Sequence, residues 1–147
     1  MRLWLPIASL SSILFSLNSM AFCFNQAGLK YDINPKLLKA IAYTESRLDP
    51  EAINKSNSNG TVDYGLMQIN SVWFGKLEDF GVLKTHVINE PCTNIHVGAW
   101  ILAQNFALSG EGWLAVGAYN AGYSKKGEAA RQRYINIVKT NFERLSQ

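Results

Sequence analysis

The sequence predicts a mainly α fold in a single compact domain, with a small β-hairpin region as its one extended part. Three observations predict it. Apolar residues recur at helical spacing over most of the chain, a single stretch is dense in Asn, Ser and Gly, and no linker or internal repeat breaks the pattern. A length of 147 residues suits one domain with a real core.

The N-terminus stands apart from that domain. Arg2 supplies a positive start, residues 3–17 an apolar stretch broken by serines, and Ser19-Met20-Ala21 a small-residue cleavage site. Residues 1–21 therefore read as a signal peptide and residues 22–147 as the mature, periplasmic domain. The apolar run is too short for a transmembrane helix. Cys23 raises the alternative of a lipid anchor, but bulky Phe22 precedes it where lipidation wants a small residue. In an exported chain with two cysteines, any intramolecular disulfide joins Cys23 to Cys92. Loop-closure entropy makes such a bridge worth roughly 4 kcal/mol. A reactive thiol would need a neighbouring base, and neither cysteine has an obvious one in sequence.

The first helix is expected over Lys36–Leu48. Asn34 suits the N-cap and Pro35 the first helical position. Leu37, Leu38, Ile41 and Leu48 form its apolar stripe. The stretch "DPEAINKSNSNGTVD" reads as loop with a short hairpin. "GLMQIN" and "SVWFGKLEDFG" read as short helices. Pro91–Leu108 is a long buried helix carrying Ile95, Val97, Trp100, Ile101, Leu102 and Phe106. "GWLAVGAYNAG" follows as a helix that Gly122 ends, and Glu128–Leu145 closes the chain with Tyr134, Ile135, Val138, Phe142 and Leu145 on one face.

Charge excludes little beyond nucleic acid. The net +3 falls to +2 without Arg2, too mild for a nucleic-acid binder. Lys125, Lys126, Arg131, Arg133, Lys139 and Arg144 face only Glu128 and Glu143, which reads as a solvated helix face; a cell-envelope polyanion is the alternative partner. His86 and His96 lie outside any ligand pattern, so neither metal nor cofactor is expected.

One residue breaks the helical pattern. Glu45 falls four residues after Ile41 and seven after Leu38, on the apolar stripe itself. The bland explanation is a salt bridge to Arg47 or a lysine. The sharper one is acid chemistry: a carboxyl against an apolar wall keeps its proton near neutral pH and can deliver it to a glycosidic oxygen.

"TESRLDPEAINKS", "DYGLMQIN" and "GAYNAG" in that order, with a late Tyr134, resemble the catalytic domain of lytic transglycosylases, the goose-lysozyme-like peptidoglycan enzymes. The similarity covers about residues 24–140. The short single-domain form, with "PCTNIHVGAWILA", most resembles the specialised transglycosylases of type III secretion, conjugation or type IV pilus systems. The resemblance implies an α+β lysozyme-like fold, peptidoglycan glycan strands as substrate, an envelope apparatus as partner, and a monomer. It implies Glu45 as catalytic acid/base and Ser46 beside it. Gly65, Leu66, Met67 and Gln68 would line the groove, and Asn120 and Tyr134 would face the sugar. Among the aromatics, Tyr64 and Tyr119 are nominated as sugar-stacking surfaces and the others as core, Trp100 above all. Structural readings stand beside these: Asn120 as a helix end before Gly122, and Gly65 as a turn residue.

"TVDYGLMQINS" departs from the usual transglycosylase pattern. It resembles the "TDYG…QINS" stretch of animal c-type lysozymes, which implies Asp63 as a second catalytic carboxylate. The competing reading makes Asp63 a loop or cap residue. One acid alone gives a 1,6-anhydro product; a second carboxylate favours water as acceptor and a hydrolytic muramidase. A non-catalytic glycan-binding or assembly component is the remaining alternative, against which an intact Glu45 argues.

Overall fold

The computed structural model describes residues 23–110 and 112–145. The expected signal peptide and its cleavage site lie outside the described residues. Helix α1 (23–31) had no clear signal in sequence. The Cys23–Cys92 disulfide, with Cα atoms 5.4 Å apart, ties it to the long helix that follows later.

Helix α2 spans Pro35–Ser46, and the Asn34 side chain accepts from Lys36 N at 2.9 Å, as its capping position predicts. It stops two residues short of expectation. Arg47 and Leu48 take left-handed backbone (φ 60° and 66°), so the chain turns away just after Glu45. Three two-residue strands follow as an antiparallel sheet in the order β1 (Ile53–Asn54), β2 (Asp63–Tyr64), β3 (Ile69–Asn70). Asp63 pairs with Asn54 on one side and Asn70 on the other. A 3-10 turn at Ser71–Trp73 leads into α3 (Phe74–Glu78) and then α4 (Lys84–Asn89). Helices α5 (Pro91–Ser109), α6 (Trp113–Ala121) and α7 (Glu128–Arg144) complete the fold close to the expected bounds. Gly122, at φ 61°, ends α6. Helix α7 packs against both α2 and α6, and α5 lies against α6, α4 and α2.

The core gathers Leu38 and Ile41 of α2, Ile95 and Leu102 of α5, Val116 of α6 and Val138 of α7, all essentially without exposure. No described helix is long and apolar enough to cross a membrane. Trp100 is half-buried rather than central, edge-on to Trp73 and Phe80 with the Lys76 ammonium over its ring.

Two sequence expectations need correction. "GLMQIN" is not a helix: residues 65–68 form a turn and Ile69–Asn70 a strand. Gly65 (φ 73°) and Gln68 (φ 47°) are both left-handed, which no continuous helix allows. Asn94 of α5, 1% exposed, holds that turn from outside. Its Oδ1 accepts from Met67 N at 2.8 Å, and its Nδ2 donates to Tyr64 O (2.8 Å) and Val87 O (3.1 Å). A Cβ on residue 65 would collide with that amide, so glycine is required twice over. Arg131, secondly, does not belong to a solvated face. It is 9% exposed and donates to Gly122 O (2.7 Å) and Ser124 O (2.8 Å), fixing the segment after α6.

Because Asn94 bonds three backbone groups at once, two of them (Met67 N and Val87 O) buried, Asn94→Ala removes all three bonds and leaves the buried pair unsatisfied. Each such group costs about 1–3 kcal/mol. The expected loss is about 3 kcal/mol or more of unfolding free energy in a denaturant titration. A loss below about 1 kcal/mol would show that the turn holds without it.

Candidate active site

A polar cleft of about 390 Å³ opens between the end of α2, the sheet and the end of α6. Glu45, Asp63, Gln68, Tyr119 and Asn120 line it, together with Asn54, Asn57 and Asn70. Five residues singled out from the sequence thus meet in one depression, although they span positions 45 to 120.

Glu45 reaches the cleft because the left-handed turn at Arg47 ends α2 beside it. The salt-bridge reading does not hold: the Arg47 guanidinium lies over the Tyr43 ring, and its Nη1 donates to the Tyr43 hydroxyl at 3.0 Å. The partner of Glu45 is Tyr134, whose buried hydroxyl donates to Oε1 at 2.5 Å from α7. Burial pushes the Glu45 carboxyl up to about 7. The Tyr134 hydrogen bond opposes that rise by favouring the charged form, and the nearby charge of Asp63 adds to it. Burial likewise lifts the Tyr134 hydroxyl well above its ordinary value, and the charge of Glu45 adds to this, so it remains a proton-bearing donor. Next to Glu45, Thr44 Oγ1 accepts from buried Asn141 Nδ2 at 2.9 Å, a second polar tie between α2 and α7.

Asp63 enters from the sheet. Its Oδ1 accepts from Asn70 Nδ2 at 2.6 Å, and its Oδ2 from Asn54 Nδ2 (3.0 Å) and Asn57 Nδ2 (2.9 Å). An ionised carboxylate, which only accepts, satisfies three donors without conflict. Tyr64, the next residue of β2, lies outside that cleft lining. Its ring packs 5.6 Å from that of Phe74 and borders a separate hollow with Pro50 and Ile53.

The turn supplies Gln68. Its Nε2 donates to Gly65 O (3.0 Å) and Ala52 O (3.2 Å), so both amide hydrogens are spent internally and only Oε1 is left for a ligand. Leu66 and Met67 have fully buried side chains; Met67 contributes its carbonyl, which accepts from Tyr119 Oη at 2.8 Å. Burial raises the Tyr119 hydroxyl well above its ordinary value, with the charges of Glu45 and Asp63 adding to it. Ser46 Oγ donates to Leu66 O (2.9 Å) and accepts from Asp49 N (3.1 Å), stitching the helix end to the turn. Asn120 is exposed at the cleft edge, with its amide open to solvent.

Sequence reasoning missed Asn54, Asn57 and Asn70. All lie in or beside the stretches read as loop or helix, where asparagine is ordinary. Their one available signal was the clustering of amides around the single acid, Asp63.

The family model described as transglycosylase SLT domain matches residues 22–142. Protein IpgF of Shigella flexneri is 40% identical, over 86% of this chain and 82% of its own length. Invasion protein IagB of Salmonella typhimurium (strain SL1344) is 41% identical, over 90% of this chain and 82% of its own. A peptidoglycan-binding-like protein of Escherichia coli O157:H7 is 34% identical, over 98% and 90%.

The raised carboxyl of Glu45 has a thermodynamic consequence. A folded-state value of about 7 against an ordinary 4.5 means that the folded protein binds this proton more tightly than the unfolded chain. That contribution is fully present below about 4.5 and is lost as pH rises through about 7. Glu45→Gln, which keeps an acceptor for Tyr134, lacks this dependence. Its stability relative to wild type should therefore rise between those limits, measured by denaturant unfolding across the range. A pH-independent difference would contradict the burial of the carboxyl.

Proposed function

Because this chain belongs to the transglycosylase SLT domain family and is a lytic transglycosylase, we propose that it cleaves the β-1,4 bond between N-acetylmuramic acid and N-acetylglucosamine, releasing a 1,6-anhydro end. The observation that carries this reading is Glu45, recessed in a polar cleft with a value near neutrality and no cation beside it among the described residues. A group so placed is useful in both protonation states.

In the first step Glu45 gives its proton to the glycosidic oxygen as the C1–O bond breaks and its electrons pass to that oxygen. Positive charge develops on the muramic acid ring. Asp63 faces it with a negative charge, and the substrate's own N-acetyl group can share the load. In the second step the C6 hydroxyl attacks C1, and Glu45, now a carboxylate, takes its proton and regains the starting state. Tyr134 stabilises that carboxylate between the steps. Gln68 offers only an acceptor, which suits an acetamido N–H or a hydroxyl, and Asn120 can both donate and accept at the rim. Tyr119 and Ser46 hold the turn that carries Gln68, while Tyr64, Gly65, Leu66 and Met67 shape the sheet and turn behind it.

Hydrolysis, with water replacing the C6 hydroxyl, is the second reading, favoured by Asp63 in the same cleft. The biological setting we propose is the periplasm, where a mature monomer of residues 22–147 opens peptidoglycan locally for a secretion, conjugation or pilus apparatus. Kinship to an invasion protein supports that setting.

Glu45→Gln should abolish lysis of purified sacculi while remaining folded, because the amide keeps the shape and cannot deliver a proton. Mass spectrometry of muropeptides released by wild type should find anhydro ends; reducing ends alone would establish the hydrolytic reading. Wild-type activity should fall as pH rises through about 7, as Glu45 loses its proton.

Asp63→Ala should lower turnover at least about tenfold, the loss of roughly 1.4 kcal/mol of charge stabilisation in a partly dehydrated cleft. The alkaline limb of its pH profile should also move to lower pH, since the charge that helps raise Glu45 is gone. Alanine is preferred to asparagine here, whose amide would meet the donors now aimed at Asp63. Turnover within about twofold of wild type, with an unmoved limb, would reduce Asp63 to a structural residue.

A further inference from the structure

We propose that Asn54, Asn57 and Asn70 are positioning residues for the reaction, a cradle of neutral amides that fixes Asp63 as an undiminished negative charge facing the cleft. The proposal rests on the reading of Asp63 given above and goes beyond it by naming what makes that charge available.

Three observations carry the cradle. Both Asp63 oxygens are occupied, Oδ1 by Asn70 and Oδ2 by Asn54 and Asn57, at 2.6, 3.0 and 2.9 Å. The amides are themselves oriented. Asn54 Oδ1 accepts from Ser56 N (3.0 Å) and Asn70 Oδ1 from Val72 N (3.0 Å), so in each the backbone claims the oxygen and turns the NH2 toward Asp63. Thr61 completes the lock, receiving Asn70 Nδ2 (2.8 Å) and Asn57 Nδ2 (3.2 Å) on its hydroxyl.

The third observation is chemical. No lysine or arginine among the described residues bonds to Asp63; its hydrogen-bond partners are uncharged amides. A cation would hold the carboxylate equally well but would cancel its field. Amide dipoles hold it and leave the field to act on whatever charge develops nearby. That field reaches the cleft, since the charge of Asp63 contributes to the raised values of both Glu45 and Tyr119. Asparagine is thus the fitting residue type three times over.

A double-mutant cycle separates positioning from mere support. Asn57→Ala is the principal variant, because Asn57 lies in the loop between β1 and β2, while Asn70 also caps the 3-10 turn and its loss could unfold that corner. Asn54→Ala is the second. With soluble glycan strands as substrate, each should lower kcat at least about threefold and leave KM within about twofold. In the Asp63→Ala background the same substitutions should cost less than about twofold further, since the cradle then has nothing to hold. Thermal melts of all variants accompany the kinetics. Equal losses in both backgrounds would mark the asparagines as structural and overturn the proposal. Silent asparagine variants beside a costly Asp63→Ala would overturn the cradle alone. A silent Asp63→Ala would overturn the reading of Asp63 and the cradle with it.

Discussion

Everything at this site depends on removing one carboxyl from water without giving it a cation. An acid buried beside an arginine would be held permanently charged, and one left at the surface would ionise near its ordinary value. Glu45 avoids both. Helix α2 ends immediately after it, Arg47 turns outward to Tyr43, and the one hydrogen bond to its carboxyl among the described residues comes from Tyr134, 89 residues further on. That requirement explains the close packing of α7 on α2. It also gives Asn141 and Thr44 a reason to tie the two helices one step further along. A tyrosine is strong enough to stabilise the charged form and too weak to make it permanent.

The helical frame was legible in sequence because its causes are local. Asn34 and Pro35 mark the start of α2, Pro91 that of α5, and Gly122 the end of α6, and apolar spacing fills in the faces. Glu45 was legible for the same reason, as a violation of a local pattern. What escaped was set by distant partners. The "GLMQIN" stretch has helix-like composition, yet a buried amide from α5 and a hydroxyl from α2 claim its backbone groups and turn it into a corner and a strand. Arg131 looked like one of many surface cations until two carbonyls beyond α6 took its guanidinium. The asparagines around Asp63 escaped because loops are rich in asparagine anyway. Sequence can show the residue type but not its aim.

Two carboxyls share the cleft, and their surroundings differ in kind. Glu45 is buried with, among the described residues, one hydroxyl donor, an environment that keeps its proton exchangeable near neutrality. Asp63 sits among three amide donors, an environment that suits a group that only accepts. When two like groups are held so differently, one is fitted to move a proton and the other to stay fixed while the proton moves. The two are also linked, since the charge on Asp63 raises Glu45. The sheet that carries Asp63 therefore does more than wall the cleft. Through the charge of Asp63, whose amide partners are uncharged, it adds to the rise of the carboxyl at the end of α2, and so ties the loop-like half of the domain to the helical half.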